Sequence, residues 1–245
     1  MLSSNSADAS VPKSIAVAAG MEAATFAINT VGVSTSKTVT ITAKNGSVSK
    51  TASLTITPPT LLSVTLDPDA VSGGTSTTGT VTLSGIAGSG GVVVKLKSNS
   101  SSVSLGASVK VPAGKASATF VAKTIAVNSP TSAAVTASLG TVSQTTTLTI
   151  NPPYLVSLAL NPGTVTGGKS SVGTVTISSA APDGGLEISL SSSDSTAIVP
   201  AIVKVPSGHE TITFTIRTVA TKSTTTSTIS AAKGGSSLTD VLTIL

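Results

Sequence analysis

The chain has 245 residues, a formal net charge of +5, no cysteine and only 9% charged residues, against roughly 25% in ordinary soluble domains. Without cysteine, disulfides, thiolate metal sites and thiol catalysis are excluded. Serine and threonine supply 83 residues, so hydroxyl groups rather than charges must cover the surface. The basic residues are scattered and form no stripe, and we therefore expect no nucleic-acid partner.

A repeat of 94 residues runs through the whole chain, and its only three phenylalanines lie 94 residues apart. Aligning residues 61–151 with 155–245 gives 38 identities in 91 positions without a gap. A fixed period of this kind indicates stacked copies of one structural unit. We therefore predict three domains: a partial repeat over residues 1–57 that holds only the later strands (unit one), and complete repeats over 61–151 (unit two) and 155–245 (unit three).

The first unit begins inside a repeat, because Leu2 aligns with Leu96 and Leu190 and no counterpart of residues 61–94 precedes it. We expect the chain to be a piece of a longer tandem array, and the alternative is a natural half-domain completed by another chain. Ile15–Gly20 has the composition of a signal-peptide core but aligns with internal residues of the other units, so we do not interpret it as an export signal. No apolar run approaches the roughly 18 residues of a membrane span.

The predicted elements are clearest in the last unit, where short segments rich in Val, Ile and Thr alternate with Gly and Pro turns. Proline cannot donate to a central ladder, so the segment that Pro200 interrupts is expected to be a short edge strand. On the third segment, Leu186, Ile188 and Leu190 should point into the core. In chain order the predicted strands are Leu155–Leu160, Val172–Ser178, Leu186–Leu190, Ile198–Val205, Thr211–Thr218, Thr225–Ala231 and Leu238–Leu245.

About seven short strands per repeat, with frequent turn signals and no helical period, predict an all-β fold. The expected architecture is a tandem array of immunoglobulin-like antiparallel β-sandwiches. The units are joined at Pro58-Pro59 and at Pro152-Pro153. A proline pair is stiff and extended, so we expect successive sandwiches to lie end to end as a rod.

A set of short motifs recurs in the two complete units. In unit three the motifs are Leu160-Asn161-Pro162, Val165–Ser170, Gly173–Ser178, Gly184-Gly185, Val205–Gly208, Thr213-Phe214 and Leu242-Thr243-Ile244. These motifs resemble the Ig-like tandem repeats of bacterial secreted and cell-surface proteins. The resemblance covers the whole chain, although unit one has Ala18 where the other units have proline. It implies an immunoglobulin-like fold without the Trp and paired Cys of antibody domains, and an extracellular or cell-surface location.

Modules of this type serve as stalks, spacers, adhesins and enzyme appendages. The resemblance therefore implies a non-enzymatic structural array, the shaft or spacer of a bacterial surface or secreted protein or of an adhesin. One alternative is a self-assembling extracellular fibre subunit completed by strands from neighbouring chains, and another is an accessory region of a larger secreted enzyme. For the incomplete first repeat we expect one of two outcomes: unit one is poorly ordered, or its Phe26 face is capped by the strands of a neighbouring molecule and the chain self-associates. The sequence identifies no other ligand.

Few residues are candidates for chemistry. His209 is the only histidine and aligns with Met21 and Lys115, so we predict an exposed turn residue and no Ser–His–Asp relay. Asp67 and Asp69 flank a proline, but a calcium site needs several clustered oxygens, and unit three has no carboxylates there. Asp183 lies in a glycine turn that favours aspartate for backbone reasons.

The remaining candidates also have structural interpretations. Lys110 and Lys204 occupy equivalent strand positions without a recurring Asn and acid, so we predict exposed lysines rather than crosslinks. Tyr154, at a linker, is the only other aromatic residue and cannot by itself form a sugar-stacking platform. Phe26, Phe120 and Phe214 are predicted to lie in the core. We accordingly predict no catalytic, cofactor-binding or metal-binding residue and no cofactor.

Overall fold

The computed structural model describes all residues from 1 to 245, and its regular elements are 23 β-strands without an α-helix. The prediction of an all-β fold is confirmed. β-Branched residues fit the half-buried surface of a sheet, which is why the Val- and Thr-rich segments form strands. No helix of the chain has the length and apolar character needed to cross a membrane.

Unit one contains five strands in two small sheets. The strands are β1 (Leu2–Ser4), β2 (Ala9–Ser10), β3 (Asn29–Thr30), β4 (Lys37–Asn45) and β5 (Val48–Ile56). The three-stranded sheet has the order β1-β4-β5, and the second sheet is the single pair β2-β3. Residues 11–28 contain no strand, because the residues that would pair with them correspond to positions within 61–94 of unit two.

Unit two contains nine strands in two sheets. The strands are β6 (Leu61–Asp67), β7 (Ala70–Ser72), β8 (Ser76–Leu83), β9 (Val92–Ser98), β10 (Val103–Ser104), β11 (Ser108–Val111), β12 (Ser117–Thr124), β13 (Thr131–Leu139) and β14 (Val142–Asn151). The sheets have the orders β10-β12-β8-β6 and β11-β9-β13-β14-β7.

Unit three repeats this arrangement strand for strand. The strands are β15 (Leu155–Asn161), β16 (Thr164–Val165), β17 (Ser170–Ile177), β18 (Leu186–Ser192), β19 (Ala197–Ile198), β20 (Ile202–Val205), β21 (Thr211–Thr218), β22 (Thr225–Lys233) and β23 (Ser236–Ile244). The sheets have the orders β15-β17-β21-β19 and β16-β23-β22-β18-β20, and a cluster of 16 buried apolar residues fills the space between them.

The alternation predicted on the third strand is confirmed, since Leu186, Ile188 and Leu190 are all buried. The segment around Pro200 does not form the single edge strand that the sequence predicts. It forms two edge strands in different sheets: β19 pairs with β21, and β20 pairs with β18. Proline ends the first pairing, and the chain then crosses from one sheet to the other.

A second strand is also divided, at the start of each complete unit. After β15 the chain passes Pro162 and forms β16, which pairs with β23 of the opposite sheet in parallel orientation. The strand β7 pairs with β14 in the same way. These two divisions turn about seven predicted strands into nine, and they connect the edges of the two sheets.

Each complete unit pairs one phenylalanine with a glycine on the adjacent strand. Phe214 is opposite Gly173 in the β21–β17 ladder, and Phe120 is opposite Gly79 in the β12–β8 ladder. A Cβ atom at either glycine would overlap the ring of the paired phenylalanine. Because glycine has no side chain, the ring fits over it. Glycine inside a strand normally weakens the strand, and the packed ring offsets this effect.

The three rings are not buried equally. Phe214 is 6% exposed, and Phe120 is partly buried against both apolar clusters of unit two. Phe26 is partly buried against the five-residue cluster of unit one and has no paired glycine. The core location predicted for the phenylalanines is thus complete in unit three and partial in the other two units.

We predict that Phe214→Ala lowers the free energy of unfolding of unit three by about 3–5 kcal/mol, because it leaves a cavity over Gly173. Unit two should keep its stability, since repeated domains contact only their neighbours. Denaturant unfolding followed by residue-resolved hydrogen exchange measures both effects. Phe26→Ala is the matched control and should cost less; a loss below about 1 kcal/mol at Phe214 would contradict the prediction.

Candidate functional site

The residues with ionisable or nucleophilic side chains do not converge on a common site. His209 is exposed, and its Nδ1 atom lies 3.1 Å from the carbonyl oxygen of Ser207 in the same turn. Asp183 accepts a hydrogen bond of 3.2 Å from the Ser207 hydroxyl. No group of three or more His, Cys, Asp or Glu residues is positioned to hold a metal ion. These side chains stabilise turns at one end of unit three.

The two equivalent lysines cover glycines. A Cβ atom at Gly91 would lie 2.8 Å from Lys110 Cε, and a Cβ atom at Gly185 would lie 2.9 Å from Lys204 Cε. Both lysines are exposed overall. Their aliphatic stems therefore pack on a tight turn while the charged ends reach water, as is usual for long cationic side chains.

Tyr154 is 58% exposed and follows the buried Pro153 at the linker. Its backbone N–H donates to the Ser178 hydroxyl at 3.1 Å, and its carbonyl oxygen accepts from the Ser178 N–H at 2.9 Å. The residue thereby extends the pairing of β15 with β17 by one position, directly after the proline pair. Its ring stands without a second exposed aromatic ring in the chain.

A single ion pair is present in the whole structure. Lys37 Nζ lies 2.7 Å from Asp8 Oδ2 in unit one. The hydrogen bonds from Lys37 and then from Ser6 hold the pKa of Asp8 below its ordinary value. Both side chains are accessible to solvent, where exposed pairs contribute little to stability. Electrostatic pairing is therefore a minor part of this fold.

Hydrogen bonds between side chains and the backbone take the place of ion pairs. In all three units the polar residue directly after β1, β9 or β18 accepts a hydrogen bond from a backbone N–H of the strand paired with it, which is β4, β13 or β22. Its own N–H donates to the carbonyl oxygen of that same partner. The three residues lie 94 positions apart, and this spacing is the only signal of the bonds in the sequence. The pairs are Asn5 with Thr40 (2.8 Å), Asn99 with Ala134 (2.8 Å) and Ser193 with Thr228 (2.9 Å).

The junction between units one and two is a close approach of two backbones. A Cβ atom at Gly32 would overlap the Ile86 carbonyl oxygen, and one at Gly88 would lie 2.8 Å from the carbonyl carbon of Val33. Val33 is buried. Glycine at both positions lets the loop after β3 touch the loop after β8. This contact was not predicted, although its signal is a departure from the repeat, which has Ala126 and Pro182 at these positions.

The comparisons with known proteins give likenesses at the level of structure. No protein-family model and no curated protein matches the chain. The D0-D1 domain of intimin is 13% identical over 75% of this chain and 98% of its own, with a TM-score of 0.33. The Yersinia pseudotuberculosis adhesin InvE is 15% identical over 76% of this chain and 60% of its own, with a TM-score of 0.36.

Domains 4 and 5 of the S-layer protein SbsC are 18% identical over 62% of this chain and 76% of their own, with a TM-score of 0.30. Two of these three solved structures are thus domains of intimin and of an adhesin, and the third comes from an S-layer protein. With every TM-score below 0.5, the likeness carries no argument about function. The sandwich architecture is defined by the sheets, their strand order and their cores.

We predict that Gly32→Ala separates the loops that meet at the first junction, because the new methyl group would overlap the Ile86 carbonyl oxygen. Amide chemical shifts and residual dipolar couplings of residues 86–88 should change while the core shifts of unit two stay constant. Gly85→Ala is the matched control, since a Cβ atom there has no neighbour within 4 Å. Unchanged couplings in Gly32→Ala would contradict the contact.

Proposed function

We propose that the chain is a non-enzymatic structural array, the shaft or spacer of a bacterial surface or secreted protein or of an adhesin. The observation that carries the proposal is the junction of units one and two. There a two-proline linker and a direct backbone contact at Gly32 and Gly88 hold unit one against unit two. A spacer needs such restricted joints, because a slack linker transmits neither distance nor orientation.

We further propose that residues 1–57, 61–151 and 155–245 are separate domains. Their apolar clusters support this division, since no cluster contains buried residues from two units. No hydrogen bond crosses either linker. Each complete unit therefore has its own core, as a module of a tandem array requires.

The surface chemistry supports an extracellular or cell-surface location. Side-chain-to-backbone hydrogen bonds and backbone ladders stabilise each unit, and the one ion pair is solvent-accessible. Salt weakens the interaction between exposed charges, with a screening length of about 10 Å at 0.1 M, but it has little effect on buried backbone hydrogen bonds. A fold built in this way keeps its stability when the ionic strength of its surroundings changes, which suits a protein outside the cell.

The scatter of the polar groups supports a non-enzymatic role. General acid–base or nucleophilic catalysis requires two or more groups within hydrogen-bond reach of one another. The hydrogen bond of the His209 side chain is to the Ser207 carbonyl oxygen of its own turn, and the Asp8 carboxylate is engaged by Lys37 and Ser6 in a different unit. Both arrangements serve local structure.

We predict that the chain is an extended rod in solution. Two sandwiches with strands of 8–10 residues at about 3.3 Å per residue, plus loops, should alone span roughly 70–90 Å end to end. Small-angle scattering measures this dimension. Inserting Gly-Ser residues after Pro153 should broaden the distance distribution, whereas the same insertion after Lys222, in a loop of unit three, should leave it unchanged. A compact side-by-side pair of units would contradict the proposal.

A further inference from the structure

Three lysines share the outer face of the five-stranded sheet of unit two. The buried residues of β9 alternate with Lys95 and Lys97, which are exposed, and Lys110 is exposed on the neighbouring strand β11. Paired strands lie about 4.8 Å apart, and alternate residues of one strand lie about 6.6 Å apart. Lysines that are scattered in the sequence are thus gathered by the sheet into one basic surface, which we call the lysine face.

Hydroxyl groups continue the lysine face across the sheet in two parallel rows. Each row consists of one lysine on β9, one hydroxyl residue on β13 and one on β14. The two hydroxyl groups of a row are hydrogen-bonded to each other, at 3.0 Å in one row and 2.9 Å in the other. Each row therefore presents an ammonium group beside groups that can both donate and accept hydrogen bonds. The rows are Lys97–Thr136–Thr145 and Lys95–Ser138–Ser143.

No carboxylate of unit two neutralises the lysine face. The unit has two carboxylates, Asp67 and Asp69. Asp67 ends β6 in the other sheet, and Asp69 precedes β7, which is separated from β9 by β13 and β14. In unit three, by contrast, Glu187 on β18 is directly opposite Lys204 on β20. The uncompensated positive charge is therefore a property of unit two and not of the repeat.

The fold does not require the two lysines of β9. Lysine is unfavourable in strands, and like charges on one face repel each other. Unit three has Ser189 and Ser191 at the equivalent positions and forms the same sheet. Lysine often protects the edge of a sheet, which explains Lys110 on the edge strand β11. However, β9 lies between β11 and β13, so edge protection does not explain its lysines.

We propose that the lysine face binds an anionic polysaccharide, a polymer whose sugars carry carboxylate or phosphate groups. The ammonium groups would pair with the anions, and the hydroxyl rows would bond the sugar hydroxyls beside them. Nucleic acid is also anionic, but proteins bind its single strands by stacking bases on aromatic rings. No aromatic residue lies on the strands of this sheet. The binding face goes beyond the shaft role and does not depend on it.

The experiment measures binding of polygalacturonate to the full chain by calorimetry. Binding should be strongest near 0.05 M salt and should weaken steeply by about 0.3 M, because salt screens the charges. Lys95→Ser with Lys97→Ser introduces the residues of unit three, so the variant should fold. We expect its affinity to fall by about fivefold or more, since each lysine forms one exposed ionic contact.

The matched control removes the same two charges from other surfaces. Lys123 lies on β12 in the opposite sheet, and Lys169 lies in a turn of unit three. Lys123→Asn and Lys169→Thr introduce the residues of units one and two at the equivalent positions. This variant should keep its affinity within about twofold, because the substituted positions are more than a screening length of about 10 Å from the lysine face.

Amide chemical shifts locate the contact. We expect polygalacturonate to shift residues 95–97, 136–138 and 143–145, and to leave residues 186–192 unchanged. Neutral dextran should shift neither set. A polymer of glycerol phosphate distinguishes the anionic group: tighter binding of this polymer identifies phosphate, and tighter binding of polygalacturonate identifies carboxylate.

Four results would overturn the proposal. The first is that neither anionic polymer binds at low salt. The second is an equal loss of affinity in the control variant, which would show that only the net charge matters. The third is binding of dextran as tight as that of polygalacturonate. The fourth is equal or tighter binding of single-stranded DNA, which would identify the face as a nucleic-acid surface.

Discussion

The contact between one phenylalanine ring and one glycine organises each complete unit. The ring of Phe214 or Phe120 occupies the space that a side chain at Gly173 or Gly79 would need, so the two residues depend on each other. The pair connects the two central strands of one sheet and places the ring on the core of the sandwich. Aromatic residues bury more area than other side chains, and these are the only rings in their cores.

Hydroxyl and amide groups stabilise the rest of the sandwich in place of charges. Thr124 and Thr218 connect the end of one strand to a glycine turn, and Asn99 and Ser193 connect neighbouring strands. The bonds of Thr124 and Thr218 are partly buried, and leaving a buried polar group unpaired costs about 1–3 kcal/mol. The bonds of Asn99 and Ser193 are exposed and contribute less. This explains how a chain so poor in charged residues maintains two well-ordered sheets per unit.

Unit one contacts unit two through the loop between β3 and β4, where Gly32 approaches the Ile86 carbonyl oxygen. A side chain at this position would force the two backbones apart. The contact therefore restricts bending at the first junction, as the proposed shaft requires.

The repeat, the all-β class and the inward residues of unit three can be predicted from the sequence. The 94-residue spacing needs no structural information, and the alternation at Leu186, Ile188 and Leu190 follows from the two-residue period of a strand. The local signals were also sufficient for glycine turns such as Gly184-Gly185, whose positive φ angles are 86° and 78°.

Which strands pair with one another becomes clear only in the tertiary structure. Pro200 predicts a break in the strand, but it does not predict that β19 and β20 pair in different sheets. The parallel pairing of β16 with β23 and the contact of Gly32 with the loop at Gly88 likewise join residues far apart in the chain. Local periodicity reports which side of a strand is buried, whereas the choice of partner depends on which distant backbone groups and side chains can be satisfied together.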